Sequence, residues 1–347
     1  VHVDSGWSAQ HRFLMRRLRA ATATCLPPSA SRNTLGSMRS SNRPLSTLLA
    51  LLGAVVGGCA APVVDDDVPS ATSYTTEAIV LVERTAADGN FVQTNVSAKF
   101  MRLGSNADPD VAERVVGGSW LDLPPVDECR ALTAFVGADE APALSDLGSI
   151  ELLDVGDISI TAESTSMPLA TRAFPDVGGL VSGVCYTSRD ARSDLPAPGR
   201  YVLESTGSTM LERFSVGAEA PANPESVRVG NVDLAEGVML EEGSATNLHW
   251  RVGETLSETR KHENDLVYVD LTAPSGVGIR CTYKDSGEAV MPAFVTASKA
   301  WGTLPAAITI SLHRIRQGQF VASGIDDAEL RFDFSVVGKA TIVAVSP

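Results

Sequence analysis

Hydrophobic and polar residues alternate over short stretches of this chain. Because successive side chains of a β-strand point to opposite faces, such alternation predicts strands with one buried side and one solvent-facing side. Four sets of residues share the buried phase most clearly: Leu248, Trp250 and Val252; Val267, Val269 and Leu271; Ile308, Ile310 and Leu312; and Leu330, Phe332, Phe334 and Val336. His249 and His313 occupy the opposite phase, where we expect solvated side chains.

Further strands are predicted at 77–84, 149–153, 157–161, 180–187 and 200–205, divided by turns rich in glycine, proline and aspartate. Residues 285–287 (Asp-Ser-Gly) are predicted to form a hairpin turn in which Gly287 adopts positive φ and Asp285 caps its own turn. Only 107–114 and 291–299 indicate short helices. The pattern predicts an all-β fold.

Two prolines in Pro221-Ala222-Asn223-Pro224 mark a boundary, because proline cannot donate to a strand ladder. We therefore expect two tandem β-sandwich domains, 74–222 and 225–347. The second alternates more cleanly, and we expect an immunoglobulin-like sandwich of about seven strands there.

The N-terminal part predicts an exported precursor. Residues 38–58 combine Arg39 and Arg43, a short apolar run from Leu45 to Val56, and small residues at the end, which are the three parts of a secretory signal. The apolar run is too short for a membrane-spanning helix, which takes about 20 residues. Residues 59–73, with two prolines and an acidic triplet, predict a disordered tether.

The end of this signal resembles the lipobox of bacterial lipoproteins. Val56, Gly57, Gly58 and Cys59 match its aliphatic, small, small and cysteine positions. The resemblance implies cleavage before Cys59 and attachment of lipid to its thiol, which would fix the protein to membrane lipid. An ordinary secreted protein cleaved nearby is the alternative. Ala60 stands where some bacterial lipoproteins carry an inner-membrane retention aspartate, which favours the outer membrane.

Residues 1–37 precede a signal that already begins with Met38. We interpret them as a mis-annotated N-terminal extension. A long positively charged leader, starting for example at Met15, is the alternative. Under either interpretation, residues 1–37 are not expected to form part of the fold.

Charge excludes one class of partner. The chain has 28 basic and 42 acidic residues, and residues 1–58 hold seven arginines and one aspartate, so the chain from Cys59 onward carries a net charge of −20. Nucleic acids and anionic lipids require positive charge to displace counterions. We therefore expect no nucleic-acid partner.

Three further cysteines follow the anchor, and an oxidising compartment permits one disulfide among them. Cys129 and Cys185 lie in the same predicted domain and are the candidate pair. Cys281 shares its strand phase with Ile279 and Tyr283, so we expect it to be a buried thiol.

The chain from Cys59 onward also resembles uncharacterised two-domain lipoproteins of myxobacterial-type genomes. The residues that carry the resemblance are the segments 156–160 (GDISI), 213–215 (RFS), 220–221 (AP), 248–250 (LHW), 265–267 (DLV), 279–281 (IRC), 285–287 (DSG) and Pro292. These are strand and turn signatures, and the resemblance implies no activity and no site residues. Relatives of this type often carry more cysteines in the first domain.

No residue pattern specifies an active site. A hydrolase needs a nucleophile activated by a base, and the histidines after Cys59 are His249, His262 and His313. No paired metal-ligand spacing occurs either, since the ligands in 262–265 are adjacent and splay apart, and Asp108-Pro109-Asp110 lacks the remainder of a calcium loop. We predict no catalytic residue, no metal and no cofactor.

Two function classes remain. We favour a non-enzymatic envelope module that binds an envelope or extracellular partner, or serves a structural role. The alternative is an envelope hydrolase built from dispersed carboxylates, which would leave no local motif.

Overall fold

The structure is a computed structural model, and it describes residues 74–87, 91–116, 123–132, 148–174, 181–188, 195–197, 199–253, 265–297 and 299–345. The predicted extension (1–37), signal (38–58) and tether (59–73) lie outside these residues, as do the lipobox residues Val56, Gly57, Gly58 and Cys59. The described residues belong to one compact unit.

The described chain is mostly β-strand. Its strands are β1 (Thr75–Ala87), β2 (Phe91–Leu103), β3 (Cys129–Leu132), β4 (Ile150–Leu152), β5 (Ile158–Ala162), β6 (Thr165–Ala173), β7 (Val181–Ser188), β8 (Gly199–Ser205), β9 (Phe214–Ala220), β10 (Arg228–Val229), β11 (Val232–Asp233), β12 (Val238–Glu241), β13 (Thr246–His249), β14 (Leu266–Thr272), β15 (Gly278–Lys284), β16 (Glu288–Met291), β17 (Ala306–Gln319) and β18 (Asp327–Val343). Two short α-helices, α1 (Pro109–Val115) and α2 (Ala293–Thr296), and 3₁₀ turns at Leu234–Glu236 and Lys299–Trp301 complete it. The predicted β class is confirmed.

Most strands form one large sheet in the order β3-β15-β14-β17-β18-β1-β2-β4-β7-β6-β5-β8-β9, with β12 added beside β18. A smaller sheet has the order β11-β10-β13-β16. In the large sheet β1 pairs antiparallel with β2 and parallel with β18. The first described strand therefore lies directly beside the last.

The large sheet encloses a first core. Strands far apart in the sheet order, such as β2, β5 and β18, contribute side chains to the same apolar cluster, so the sheet must curl around it. Its members include Phe100, Ile160, Tyr186, Tyr201, Leu203, Phe332 and Phe334. Tyr201 and Phe332 meet edge to face at 5.3 Å between ring centroids, an arrangement that aromatic rings favour.

A second core lies between the small sheet and the part of the large sheet formed by β14, β15 and the ends of β17 and β18. It contains Leu248, Trp250, Val269, Leu271, Ile310, Leu312 and Ile342. A third, smaller cluster lies on the opposite face of the large sheet, where Ala112 of α1 and the nearby Val116 pack with Met101 and Leu103.

Strand β18 runs from the first core to the second, where it lies beside β17. Ile308, Ile310 and Leu312 of β17 belong to the second core, whereas Leu330 and Phe332 of β18 belong to the first. One hydrogen-bonded sheet therefore contains strands from both sides of Pro221–Pro224. The sheets do not split clearly into two domains. The boundary at 222–225 stays a prediction.

Two buried arginines lie on β17 next to the second core. Arg314 is fully buried, and its Nε donates to Asp285 Oδ2 over 2.8 Å. Its Nη1 donates to the carbonyl oxygens of Ala222 and Asn223, at 3.0 Å each. Arg316 donates through Nε to Asp265 Oδ1 at 2.9 Å. Arg314 thereby ties residues 222–223 to β17, and Arg316 ties the residue that precedes β14 to the same strand.

The structural role of Asp285 differs from the predicted one. Residues 285–287 do form a turn with Gly287 at φ 89°, but the turn leads from β15 in the large sheet to β16 in the small one, so it is not a hairpin. The carboxylate of Asp285 accepts from Arg314 and from Trp250 Nε1, at 2.6 Å for the latter, instead of capping its own turn.

The predicted disulfide between Cys129 and Cys185 is wrong. Cys129 is bonded to Cys281, its register partner on the neighbouring strand, with 4.0 Å between their Cα atoms. Cys281 is buried as expected, but in a disulfide instead of as a thiol. Cys185 lies buried in the third cluster and takes no part in the disulfide. The error arose because β3 pairs with a strand of the other half.

We predict that Cys281→Ser lowers the free energy of unfolding by about 3–5 kcal/mol, since the bond closes a loop with a sequence separation of 152 residues. Urea denaturation measures this. Cys129→Ser should lower the free energy of unfolding by the same amount, and the double variant should lower it by no more than either single variant. Cys185→Ala should lower it by about 1 kcal/mol. Equal sensitivity of all three single variants to a reductant would contradict the pairing.

We also predict that Asp285→Asn destabilises the fold by about 3–5 kcal/mol, because it leaves the Arg314 charge buried without its counter-ion. Glu225→Gln is the control, since Glu225 pairs with Arg251 on the surface, where both side chains are more than half exposed, and should cost under about 1 kcal/mol. Adding Arg314→Met to Asp285→Asn should recover part of the loss. If urea denaturation showed that Asp285→Asn and Glu225→Gln lower the free energy of unfolding equally, the role of Asp285 as the counter-ion of Arg314 would be contradicted.

Candidate functional site

A connected group of polar and ionisable side chains lies on the large sheet, on the face opposite the two large cores. We call it the sheet-face cluster, and its members are Glu83, Tyr268, Asp270, Arg280, Ser311, His313 and Asp333. They come from β1, β14, β15, β17 and β18. Strand register brings them together, because Asp270 opposes both Arg280 and Ser311, and Tyr268 opposes His313.

His313 is the centre of the cluster. Its ring stacks on Tyr268 with 4.1 Å between centroids, and its side chain is only 16% exposed. Nδ1 lies 2.8 Å from Asp333 Oδ1, and Nε2 lies 2.9 Å from Ser311 Oγ. The predicted strand phase is correct, since His313 points away from Leu312, but the expectation of a solvated histidine is wrong because its contacts with Tyr268 and Asp333 leave the ring mostly buried.

Asp333 receives two donors. The Tyr268 hydroxyl donates to Oδ2 at 2.8 Å, and His313 contacts Oδ1. Burial, together with the charge of Asp333, raises the pKa of Tyr268 well above its ordinary value, so the phenol remains a donor. Both oxygens of this buried carboxylate are thereby engaged.

A second ion pair borders the histidine. Arg280 donates through Nε and Nη2 to the two oxygens of Asp270, at 2.8 Å each, and both side chains are nearly buried. The guanidinium also lies over the Tyr268 ring, 4.3 Å from its centroid. A bidentate contact and a cation–π contact together fix Arg280.

The environment also shifts the pKa values of His313 and Glu83. Burial lowers the pKa of His313, but the charge and hydrogen bond of Asp333 outweigh this effect, and the pKa is raised above 6.5. Burial and the charge of Asp333 raise the pKa of Glu83 to about 7, against smaller opposing effects of His313 and Lys99. The cluster therefore holds protons more tightly than its isolated groups would.

Ser311, His313 and Asp333 are connected in the order of a hydrolytic triad, but two features oppose nucleophilic catalysis. The raised pKa keeps the His313 ring protonated up to a higher pH, and a protonated imidazole cannot accept the serine proton. Ser311 also lies within β17, which is paired on both sides, opposite Asp270 and Val337. The backbone amides around it serve the two ladders and are not free to bind an oxyanion.

A depression lies elsewhere, at the end of the first core. It has a volume of about 840 Å³ and is open to solvent. Its lining includes Asp157, Glu204, Arg213 and Phe214, with no member of the sheet-face cluster. The segments 156–160 and 213–215 therefore meet at this depression.

The other residues considered as metal ligands or catalytic groups either have structural roles or lie outside the described residues. Asp108 accepts from the Val111 amide through Oδ1 at 3.4 Å, as a residue that caps the start of α1. His249 is half-buried at the end of β13, and His262 is outside the described residues. Within the described ranges, no group of three or more His, Cys, Asp or Glu could hold a metal ion, and no helix is long and apolar enough to cross a membrane.

Comparisons with known proteins give little. No protein-family model matches the chain, and no curated protein does. The full ectodomain (Ig1–Ig3) of mouse nectin-like molecule 4 aligns at 10% identity and a TM-score of 0.17, over 78% of this chain and only 65% of its own. A chimeric titin Z1Z2 carrying a KLER peptide from decorin aligns at 10% identity and 0.13, over 80% of this chain and 98% of its own.

We predict that Asp333→Asn lowers the pKa of His313, because burial is then opposed by much less negative charge. A pH titration of the imidazole by NMR measures it. In the unchanged protein, the stability contributed by His313 should be complete below pH 6.5 and lost as pH rises through the raised pKa. Asp327→Asn, an exposed change on the same strand, should leave the titration in place. An unchanged His313 pKa in Asp333→Asn would refute the role of Asp333.

Proposed function

We propose that this chain is the precursor of an exported lipoprotein, held at the cell envelope by lipid on Cys59, whose β-rich body is a non-enzymatic binding or structural module. The lipobox-like segment from Val56 to Cys59 is the observation that carries the proposal. Its small residues before a cysteine, after a short apolar run, suit a signal that is cleaved and acylated.

The disulfide supports export. Cys129 and Cys281 are bonded between neighbouring strands, and such bonds persist in oxidising compartments. An anchored protein outside the cytoplasm meets that condition. Ala60 favours the outer membrane over the inner one.

The sheet-face cluster supports a non-enzymatic role. The oxygens of Asp333 and Asp270 are occupied by Tyr268, His313 and Arg280, so their hydrogen-bonding capacity serves other side chains. A catalytic group must instead face a substrate. The partner we propose is an envelope or extracellular component bound at the surface. The net charge of −20 from Cys59 onward disfavours nucleic acid.

For the body we propose two sandwich units on a shared sheet, with an immunoglobulin-like arrangement in residues 225–347. The small sheet packs across the second core from β14, β15 and the ends of β17 and β18, which gives two layers around one core. Two facing layers with alternating strands are the basis of that architecture.

The alternative function is an envelope hydrolase with dispersed carboxylates. Glu83 favours it, because a carboxyl group with a pKa of about 7 beside the charged Asp333 resembles a general acid next to a carboxylate. The engagement of both Asp333 oxygens weighs against it. We rank it second.

The anchor is tested by Cys59→Ser. In bacteria fed an alkyne fatty acid, we expect the unchanged chain to incorporate the label and sediment with membranes, and Cys59→Ser to lose both properties. Cys185→Ala, which removes a buried cysteine, should keep them. Mass spectrometry of the N-terminal peptide should show cleavage between Gly58 and Cys59. Label retained in Cys59→Ser would refute the lipid attachment.

A further inference from the structure

Two carboxylates face each other across the junction of β1 and β18. These strands run parallel, and Glu83 is the register partner of Asp333. Register partners on adjacent strands project from the same face, here the one that carries the sheet-face cluster. Two like charges in such positions destabilise strand pairing.

The two carboxyl groups have different surroundings. Asp333 is 7% exposed and accepts from both Tyr268 and His313, so its charge is stabilised by donors. In the part of the chain that the structure describes, no donor is hydrogen-bonded to the Glu83 carboxyl. When two close carboxyl groups compete for one proton, it remains on the group with poorer stabilisation of its charge.

Charged and titratable groups reach this pair from every neighbouring strand. Beside Glu83 on β1 and Asp333 on β18, they are Lys99 on β2, His313 on β17, Tyr268 and Asp270 on β14, and Arg280 on β15. Lys99 and His313 favour the charged form of Glu83, whereas burial and Asp333 disfavour it and prevail.

We propose that Glu83 and Asp333 form a carboxyl pair that holds one proton, and that loss of this proton loosens the pairing of β1 with β18. The fold then has a built-in response to pH at the seam where its first described strand meets its last. The seam is tight in mildly acidic surroundings and looser above neutrality.

The direction follows from proton binding. Burial and Asp333 raise the pKa of Glu83 from 4.5 to about 7, so between these values the folded state holds a proton that the unfolded state has released. Stability contributed by Glu83 is therefore complete below pH 4.5 and is lost as pH rises toward 7.

The test compares the full chain with Glu83→Gln, which keeps the shape of a protonated carboxyl group and cannot ionise. The unfolding constant of the unchanged chain, divided by that of the variant, should rise on the order of 100-fold between pH 4.5 and pH 8 in urea titrations. The hydrogen-exchange protection factors of the β1 amides, which are corrected for the intrinsic rise of exchange with pH, should fall over the same range in the unchanged chain and fall less in Glu83→Gln. Glu204→Gln, an exposed change on β8, should give a ratio that does not vary with pH.

A second measurement does not depend on the variant folding. In the unchanged chain labelled with ¹³C at glutamate side-chain carboxyls, one resonance should titrate with a midpoint near 7, and it should move to lower pH in Asp333→Asn. Glutamates that all titrate near 4.5, or a ratio for Glu83→Gln that is flat with pH, would overturn the proposal.

Discussion

The antiparallel pairing of β17 with β18 is the constraint on which the rest of the structure depends. It runs without a break from Ala306 opposite Ile342 to Gln319 opposite Glu329. One end of this ladder carries apolar side chains into the second core, and the other end carries them into the first. Strand β1 pairs with β18 and β14 pairs with β17, so the strands on both sides of the sheet are attached to this central pair. A shift of one residue in this register would exchange the faces of every side chain on one strand, which would place polar groups in both cores.

Where the β17–β18 ladder passes between the two cores, it carries charged side chains that are buried. Burial of an isolated charge costs several kcal/mol, so such groups need partners that satisfy them fully. Arg314 meets this requirement through Asp285 and the carbonyls of Ala222 and Asn223, and Arg316 does so through Asp265. On the opposite face, His313 and Asp333 satisfy each other in the same way. Paired charges therefore specify how the two halves join, whereas the apolar clusters stabilise each half.

Sequence alternation predicted most of the strands that bury a single face, and it missed β2, which buries both of its faces. Ile158 and Ile160 lie in a strand as expected, and Trp250, Val269 and Ile310 are buried in the predicted phase. The pattern did not indicate β2, because Val96 and Phe100 pack in the first core while Met101 and Leu103 pack on the other face, which abolishes the alternation. His313 had the correct phase, yet periodicity cannot reveal that a side chain on a polar face is mostly buried. The sheet-face cluster was missed for this reason, since its members come from five strands and share no local motif.

The two ends of the large sheet show why pairing across the halves could not be predicted from local pattern. A sheet edge exposes unpaired backbone groups, and natural proteins protect it. At one end the four-residue β3 has little buried surface, and its disulfide to β15 holds it where packing would not suffice. At the other end Arg316 of β17 donates to the Glu219 carbonyl of β9, at 3.2 Å. Each contact joins residues about a hundred or more positions apart. Such contacts arise from the curl of the sheet, so a cysteine pair chosen within one predicted domain had no means of anticipating them.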